Sequence, residues 1–240
     1  MGGSRGIGLA CAEGFLAEGA GVSICARSDA SVGRALQRLP GAHGFVADVT
    51  REEDLIRLVE QVAAAQGDID VLVVNAGGPP AGLFENLSDE NWAAAVELTL
   101  MSAVRVTRLT LPGMRARRWG RIVLISSFGV KQPVPGLTLS NSLRMAVLGW
   151  AKTLAGQIAM DNVTVNTVCP GWTRTDRVTD LLSSAADPEQ AEASILASIP
   201  MGRMGTADEI ARLAVFLGSE ASGYMTGTAI PVDGGIVQGY

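Results

Sequence analysis

Short apolar runs separated by amphipathic stretches recur along this chain. Val22-Ser-Ile-Cys-Ala26, 43–47, Val71-Leu-Val-Val74, 120–126, Val163-Thr-Val-Asn-Thr-Val168 and Ala229-Ile-Pro-Val232 read as strands. Apolar residues at helical spacing predict helices over 9–18, 29–38, 51–65, 88–113, 140–158 and 207–218. Trp92, Val96, Leu100, Val104 and Leu109 are the expected apolar face of the longest, and Thr50 with Glu53 fits a capping box. Alternating strands and helices predict an α/β fold, a doubly wound parallel sheet with helices on both faces. The polar stretch 172–206 reads as a mobile lid with short helices over a single domain spanning 1–240.

The turn chemistry narrows this fold to a Rossmann-like, dinucleotide-binding one. Gly2, Gly6 and Gly8, with Ser4, Arg5 and Ile7 between them, lead directly into the first helix. Glycines there let the backbone approach a pyrophosphate, and the helix N-terminus presents amide donors to it. A purely structural loop is the alternative reading. Ala26 stands one helix later, where a carboxylate would recognise an unmodified ribose; Arg27 follows it. Arg27 and Arg5 without that carboxylate suit a 2′-phosphate, hence NADP(H), the alternative for each arginine being a solvated surface role. A βαβ unit also needs a strand ahead of its glycine loop, and this sequence opens on the loop. Either another segment fills that central place, or the sequence starts inside a longer chain; the second expectation is preferred.

Composition excludes several classes. No apolar run approaches the ~20 residues of a membrane span. A net charge of −5 without a basic cluster argues against nucleic acid as a partner. Cys11, Cys25 and Cys169 are widely spaced among apolar residues and are expected to be buried free thiols in a reducing cytoplasm. His43 has no neighbouring ligand and reads as a surface residue near a strand start, so no metal site is expected. Lys131 and Lys152 are the only lysines.

Six motifs in order, Gly2-x3-Gly6-x-Gly8, Asp48, Asn75-Ala76-Gly77, Ile125-Ser126-Ser127, Pro170-Gly171-x3-Thr175, and Pro200-x-Gly202-Arg203-x-Gly205 with Asp233-Gly234-Gly235, span the chain. Together they resemble the short-chain dehydrogenase/reductase family, particularly its 3-oxoacyl-(acyl-carrier-protein) reductases. The resemblance implies that Gly2, Gly6, Ile7 and Gly8 line pyrophosphate and adenosine, and that Asp48 and Val49 face adenine. It places Asn75, Ala76 and Gly77 beside the ribose. The Pro170-Gly171 turn, with Thr173 and Thr175, would hold the nicotinamide carboxamide. Asp48 as a helix cap and Pro170-Gly171 as a plain strand-ending turn are the alternatives. The resemblance also implies a small carbonyl or acyl substrate and a homotetramer or homodimer, with helices 88–113 and 140–158 packing against their mates.

That family's chemistry uses a Ser, a Tyr, a Lys and an Asn. Ser127 falls on the Ser; Ser140 and Arg144 fall on the Tyr-x3-Lys pair, and Thr99 on the Asn. Tyr224 and Tyr240 are the only tyrosines, the first read as packing, the second as reaching at best a neighbouring copy. Lys152 is eight residues past Arg144, about 12 Å along the helix, and cannot replace it. Arg144 keeps a cationic contact to ribose but is a poor proton shuttle. Three readings follow: an NADP(H)-dependent oxidoreductase with rearranged proton delivery through Ser127, Ser140 and Arg144; a lyase or isomerase of the same fold; or a non-catalytic cofactor-binding protein.

Overall fold

The computed structural model describes residues 1–239, so Tyr240 lies outside the described residues. Six parallel strands are present: β1 Ser23–Ala26, β2 His43–Val46, β3 Val71–Val74, β4 Gly120–Ile125, β5 Val163–Pro170 and β6 Ala229–Val232. The helices are α1 Gly6–Ala17, α2 Asp29–Leu36, α3 Glu52–Gln66, α4 Asp89–Ala95, α5 Ser102–Arg117, α6 Thr138–Ile158, α7 Asp176–Ser183, α8 Pro188–Ser198 and α9 Ala207–Leu217. Among the described residues no helix is long and apolar enough to cross a membrane.

Strands β4 and β5 are buried along their whole length, which is why they read as near-continuous apolar runs. Their side chains alternate between two cores. Ile122 and Leu124 pack with Leu55, Leu58, Val106, Val147 and Ala151 of α3, α5 and α6. Val123, Ile125 and Val168 pack with Ala10 and Cys11 of α1 and with Ile210, Ala214 and Leu217 of α9. This two-sided burial is the doubly wound, Rossmann-like arrangement expected. Buried Asn166 inside β5 is paired: it donates to the Met225 carbonyl at 2.7 Å and accepts from the Thr228 hydroxyl at 2.7 Å. That pair fixes the entry to β6.

The sheet is in two pieces, β1-β2 and β3-β4-β5-β6. Among the described residues no strand stands between β1 and β3, so the expectation that another segment fills the central place is not met. Residues 1–3 touch both edges: the Met1 ammonium donates to the Val73 carbonyl at 2.7 Å and the Gly3 amide to the Cys25 carbonyl at 3.3 Å.

Three local expectations need correction. The helix over 88–113 is not continuous; a π-helical stretch, Val96–Met101, joins α4 to α5. The wider turn rotates the buried face onto Ala95, Thr99, Ala103 and Val106, leaving Trp92, Val96, Leu100, Val104 and Leu109 half-buried. Thr50 makes no capping box: α3 starts after Arg51 without a side-chain cap, and the Thr50 hydroxyl donates instead to Asp48 at 2.8 Å. Tyr224 is fully exposed, so it is not a packing residue. Cys11, Cys25 and Cys169 are buried and free, and His43 is exposed, as expected.

Candidate active site

The site gathers at the carboxyl ends of the strands, where an open parallel sheet puts its crevice. Gly2 and Gly6 have φ of +58° and +54°, conformations that side chains disfavour. A Cβ on Gly8 would collide with the Gly2 carbonyl oxygen, and one on Gly2 with the Asn75 carbonyl oxygen. The Asn75 side-chain amide closes this contact by donating to the Gly2 carbonyl at 3.1 Å. Two motifs far apart in sequence therefore form one tight cradle. The N-terminus of α1 above it has no side-chain cap, leaving its first amides free for an anion.

Other residues of the cofactor half fall around this cradle. Arg27 is exposed just beyond β1, and Ser4 is half-buried in the loop. Arg5 lies 3.8 Å from Asp176, both about two-thirds exposed, a pairing of little energetic weight. Asp48 accepts from the Thr50 amide at 3.0 Å as well as from its hydroxyl, so it already organises the turn into α3. Ile7 and Val49 are half-buried against the two main cores. A Cβ on Gly171 would lie 2.5 Å from Asp233 Cα, so the turn after β5 packs on the Asp233-Gly234-Gly235 turn. Thr173 is buried, its hydroxyl donating to the Gly171 carbonyl at 3.0 Å, while a Cβ on Gly6 would meet the Thr175 methyl at 3.5 Å, an ordinary contact.

The chemical half centres on the end of β4. Ser127 caps a single 3-10 turn, Phe128–Val130, by accepting from the Gly129 amide at 3.0 Å. It is half-buried between buried Ser126 and Phe128, and its own hydroxyl proton stays free to donate. On α6, Arg144 Nε donates to Ser140 Oγ at 3.2 Å, the spacing expected one turn apart. Arg144 Nη1 donates to the Ile125 and Ser126 carbonyls at 3.0 and 3.1 Å, tying α6 to the strand end. Enclosure of this guanidinium and the positive charge of Arg177 lower its pKa to about 10. It therefore stays cationic at neutral pH. Burial pushes the Cys169 thiol up to about 11, so it remains protonated.

A small, partly open cavity of about 20 Å³ lies beside Arg144, Ala76 and Gly77, lined also by Thr99 and Ser126. It has room for one water. The hydroxyls of Thr99 and Ser126 are buried without a hydrogen-bond partner in the protein. In the sequence Ser126 is legible only as part of the Ile125-Ser126-Ser127 motif, although adjacent strand residues face opposite sides and so separate it from Ser127. Arg177 was missed: from α7 it donates to the Pro79 carbonyl at 2.7 Å, strapping 172–206 across the loop after β3. The rest of 172–206 packs through Trp172, Val178, Leu182 and Ile195 onto Phe128 and Val134, giving the crevice an apolar wall. Lys131 is exposed, and Lys152 donates to the Gly227 carbonyl at 2.9 Å, away from Arg144.

A family model described as enoyl-(acyl carrier protein) reductase matches residues 2–237. The 3-oxoacyl-(acyl-carrier-protein) reductase FabG of Haemophilus influenzae is 36% identical over 237 residues, covering 98% of this chain and 95% of that relative. Among solved structures, a single-substitution variant of actinorhodin polyketide ketoreductase with NADPH superposes with a TM-score of 0.95 at 34% identity, over 99% of this chain and 95% of that one. An NADPH-bound short-chain oxidoreductase from Pseudomonas aeruginosa PAO1, described as containing an atypical catalytic center, gives 0.91 at 31% identity, over 100% and 95%. These likenesses run over essentially the whole chain rather than over its glycine loop alone. The chain belongs to the short-chain dehydrogenase/reductase family.

Proposed function

We propose that this protein is an NADP(H)-dependent oxidoreductase interconverting a carbonyl and a hydroxyl group on a small 3-oxoacyl-like substrate, with rearranged proton delivery. The observation that carries this reading is the convergence of Ser127, Ser140 and Arg144 at the end of β4, beside the glycine cradle. The residues present fit the cofactor: the cradle has no room for a Cβ at Gly2 or Gly8, α1 offers uncapped amides, and Arg5 and Arg27 supply cations for a 2′-phosphate. When bound, NADP(H) supplies the hydride chemistry. Gly2, Ser4, Gly6, Ile7 and Gly8 would hold its phosphates and adenosine, Asn75, Ala76 and Gly77 would pack beside ribose, and Pro170, Gly171, Thr173 and Thr175 would take the carboxamide. Asp48 and Val49 would face adenine.

The chain's own residues then have separate tasks. Ser127 donates a hydrogen bond from its free hydroxyl to the substrate oxygen and stabilises charge developing there, keeping its proton. Arg144 holds Ser140 by its Nε–H and leaves the Ser140 hydroxyl proton to be given to the oxygen. Ser140 is only half-buried and regains its proton from solvent in the crevice. Arg144 itself passes no proton at neutral pH. The segment 172–206 closes over the crevice as a lid, and the protein works as a dimer or tetramer through α5 and α6.

A test is NADPH oxidation over short β-ketoacyl thioesters, diketones and quinones. Turnover on one class supports the reading; binding of NADPH without turnover on any of them favours a cofactor-binding protein instead. That second reading draws on one observation, the commitment of Arg144 Nη1 to two backbone carbonyls.

Cofactor choice and pH dependence are checkable separately. NADPH is expected to bind more tightly than NADH, and Arg27→Ala to narrow the gap about tenfold, the worth of one charge-assisted hydrogen bond. Titration of both nucleotides by fluorescence measures this, and equal affinities in the parent protein refute the 2′-phosphate assignment. As for pH, Arg144 loses its cation only as pH rises through about 10, and Cys169 becomes an anion only near 11. Serine hydroxyls do not titrate in this range. The rate at saturating substrate is therefore expected to stay level between about pH 6 and 9 and to fall above that. A rate that climbs or bends within that window points to a titrating acid other than these residues.

A further inference from the structure

We infer that Arg177 sets the substrate class of this site: its guanidinium takes the free carboxylate of a 3-oxo acid whose carbonyl lies at Ser127 and Ser140. The inference rests on the carbonyl reduction proposed above and narrows it from 3-oxoacyl compounds in general to the unesterified acids. The reaction itself is unchanged. A hydride from NADPH and a proton from Ser140 add across the C3 carbonyl, giving the 3-hydroxy acid and NADP+, and the carboxylate is left intact.

Arg177 is the second residue of α7, and its side chain reaches the loop after β3. Its Nη2 donates to the Pro79 carbonyl at 2.7 Å, and a Cβ on Gly78 would meet Nη2, Cζ and Nε at 3.1, 3.3 and 3.3 Å. The guanidinium therefore lies against the Gly78 backbone, at a position where a side chain would crowd it. Half-buried and pinned there, it makes no other hydrogen bond among the described residues, so the donors of Nε and Nη1 are left for a ligand. The loop runs from the glycine cradle at Asn75, past the cavity shared by Gly77 and Arg144, to Arg177 at Gly78 and Pro79. That order puts Arg177 at the substrate end of the crevice. Its charge is felt at Arg144.

Among the described residues neither Arg144 nor Arg177 forms an ion pair. The nearby carboxylates are turned to other tasks. Asp176 faces Arg5 at 3.8 Å, and Asp233 accepts from the Gly235 and Val237 amides at 2.9 and 3.0 Å. Asp180, one turn along α7, is exposed. Two half-buried like charges without an anion repel each other and bear a desolvation cost that pairing offsets. A substrate carboxylate supplies that pairing, whereas an ester or thioester brings no charge. The apolar wall of Phe128 and Trp172 suits the remaining alkyl part.

The test compares acetoacetate with methyl acetoacetate, the same carbonyl with and without the charge. The parent protein is expected to favour the acid at least tenfold in kcat/KM with NADPH. Arg177→Gln should cut that preference about 10–100-fold, the worth of a charge-assisted contact, mainly through KM, and Arg177→Lys should restore part of it. A strap with no binding role would slow both compounds alike and leave the ratio unmoved. Binding is read separately by calorimetric titration of acetoacetate into the protein with NADP+, and Kd should weaken by a similar factor in Arg177→Gln. Equal kcat/KM for the two compounds, or a ratio that Arg177→Gln leaves unchanged, overturns the inference while the reductase reading stands. Arg177-dependent binding of the acid without reduction of either compound overturns the reductase reading and leaves the carboxylate site standing. Acetoacetate binding that is absent, or unchanged in Arg177→Gln, overturns the inference even when nothing is reduced. An unchanged ratio with NADP+ binding weakened tenfold assigns the cation to a cofactor phosphate and overturns it too.

Discussion

Ser127→Ala is expected to lower kcat for NADPH-dependent carbonyl reduction about a hundredfold or more, with NADPH affinity little changed. Loss of a single donor to a developing oxyanion typically costs about 10²–10³ in rate, equivalent to about 2.7–4 kcal/mol. Ser127 is suited to that task because its oxygen already accepts from the Gly129 amide, which fixes the hydroxyl and leaves its proton to the substrate. Removing the side chain also removes a cap, worth about 1 kcal/mol, so Tm should fall by a few degrees without loss of fold. Ser127→Thr keeps the hydroxyl and should retain measurable turnover. Stopped-flow and steady-state rates on the substrate class identified by the oxidation assay check both variants. Unchanged activity in Ser127→Ala removes this serine from the chemistry, whatever else the site does.

The fold was legible because its signals are local and repeated. Strands such as Val71–Val74 and Gly120–Ile125 are apolar for the same reason they are buried in the sheet, and each is followed by turn residues that break the pattern. The glycine cradle was legible too, since nothing with a Cβ fits at Gly2 or Gly8. What stayed hidden depends on geometry between distant segments. The π-helical turn at 96–101 has no distinctive composition, yet it decides that Thr99 and Ala103 face inward where Leu100 and Val104 were expected. The use of Asp48 is another case: Thr50 precedes a glutamate at capping-box spacing, but the competing Asp48–Thr50 contact wins because both residues share one tight turn. Thr99 and Ser126 meet around one small cavity although they belong to different elements, and no spacing rule reveals it.

The strongest test of the proton route reverses the departure from the family pattern. Ser140→Tyr combined with Arg144→Lys is expected to raise a slow carbonyl reduction by about 10²-fold or more, the lower range for a positioned general acid. Two features make the exchange demanding. Arg144 now bonds the Ile125 and Ser126 carbonyls, and a lysine has one head group to replace both contacts, so Arg144→Lys alone should lower Tm. Ser140→Tyr alone puts a phenol beside a guanidinium, which lowers the phenol pKa but leaves the ribose side as it was. Only the pair offers both a proton donor and a compact cation to tune it, so the double variant should exceed the product of the single effects, and a four-point cycle measures that excess. The pH–rate profile should change with it: the level profile of the parent gives way to one with an ionisation between about pH 6 and 9, because a tuned phenol now titrates where no serine does. A faster enzyme with a still-level profile shows that the substitutions act by reshaping the crevice, and a double variant that binds NADPH yet gains no rate shows that this crevice has been rebuilt around Ser140 and Arg144 for a different reaction.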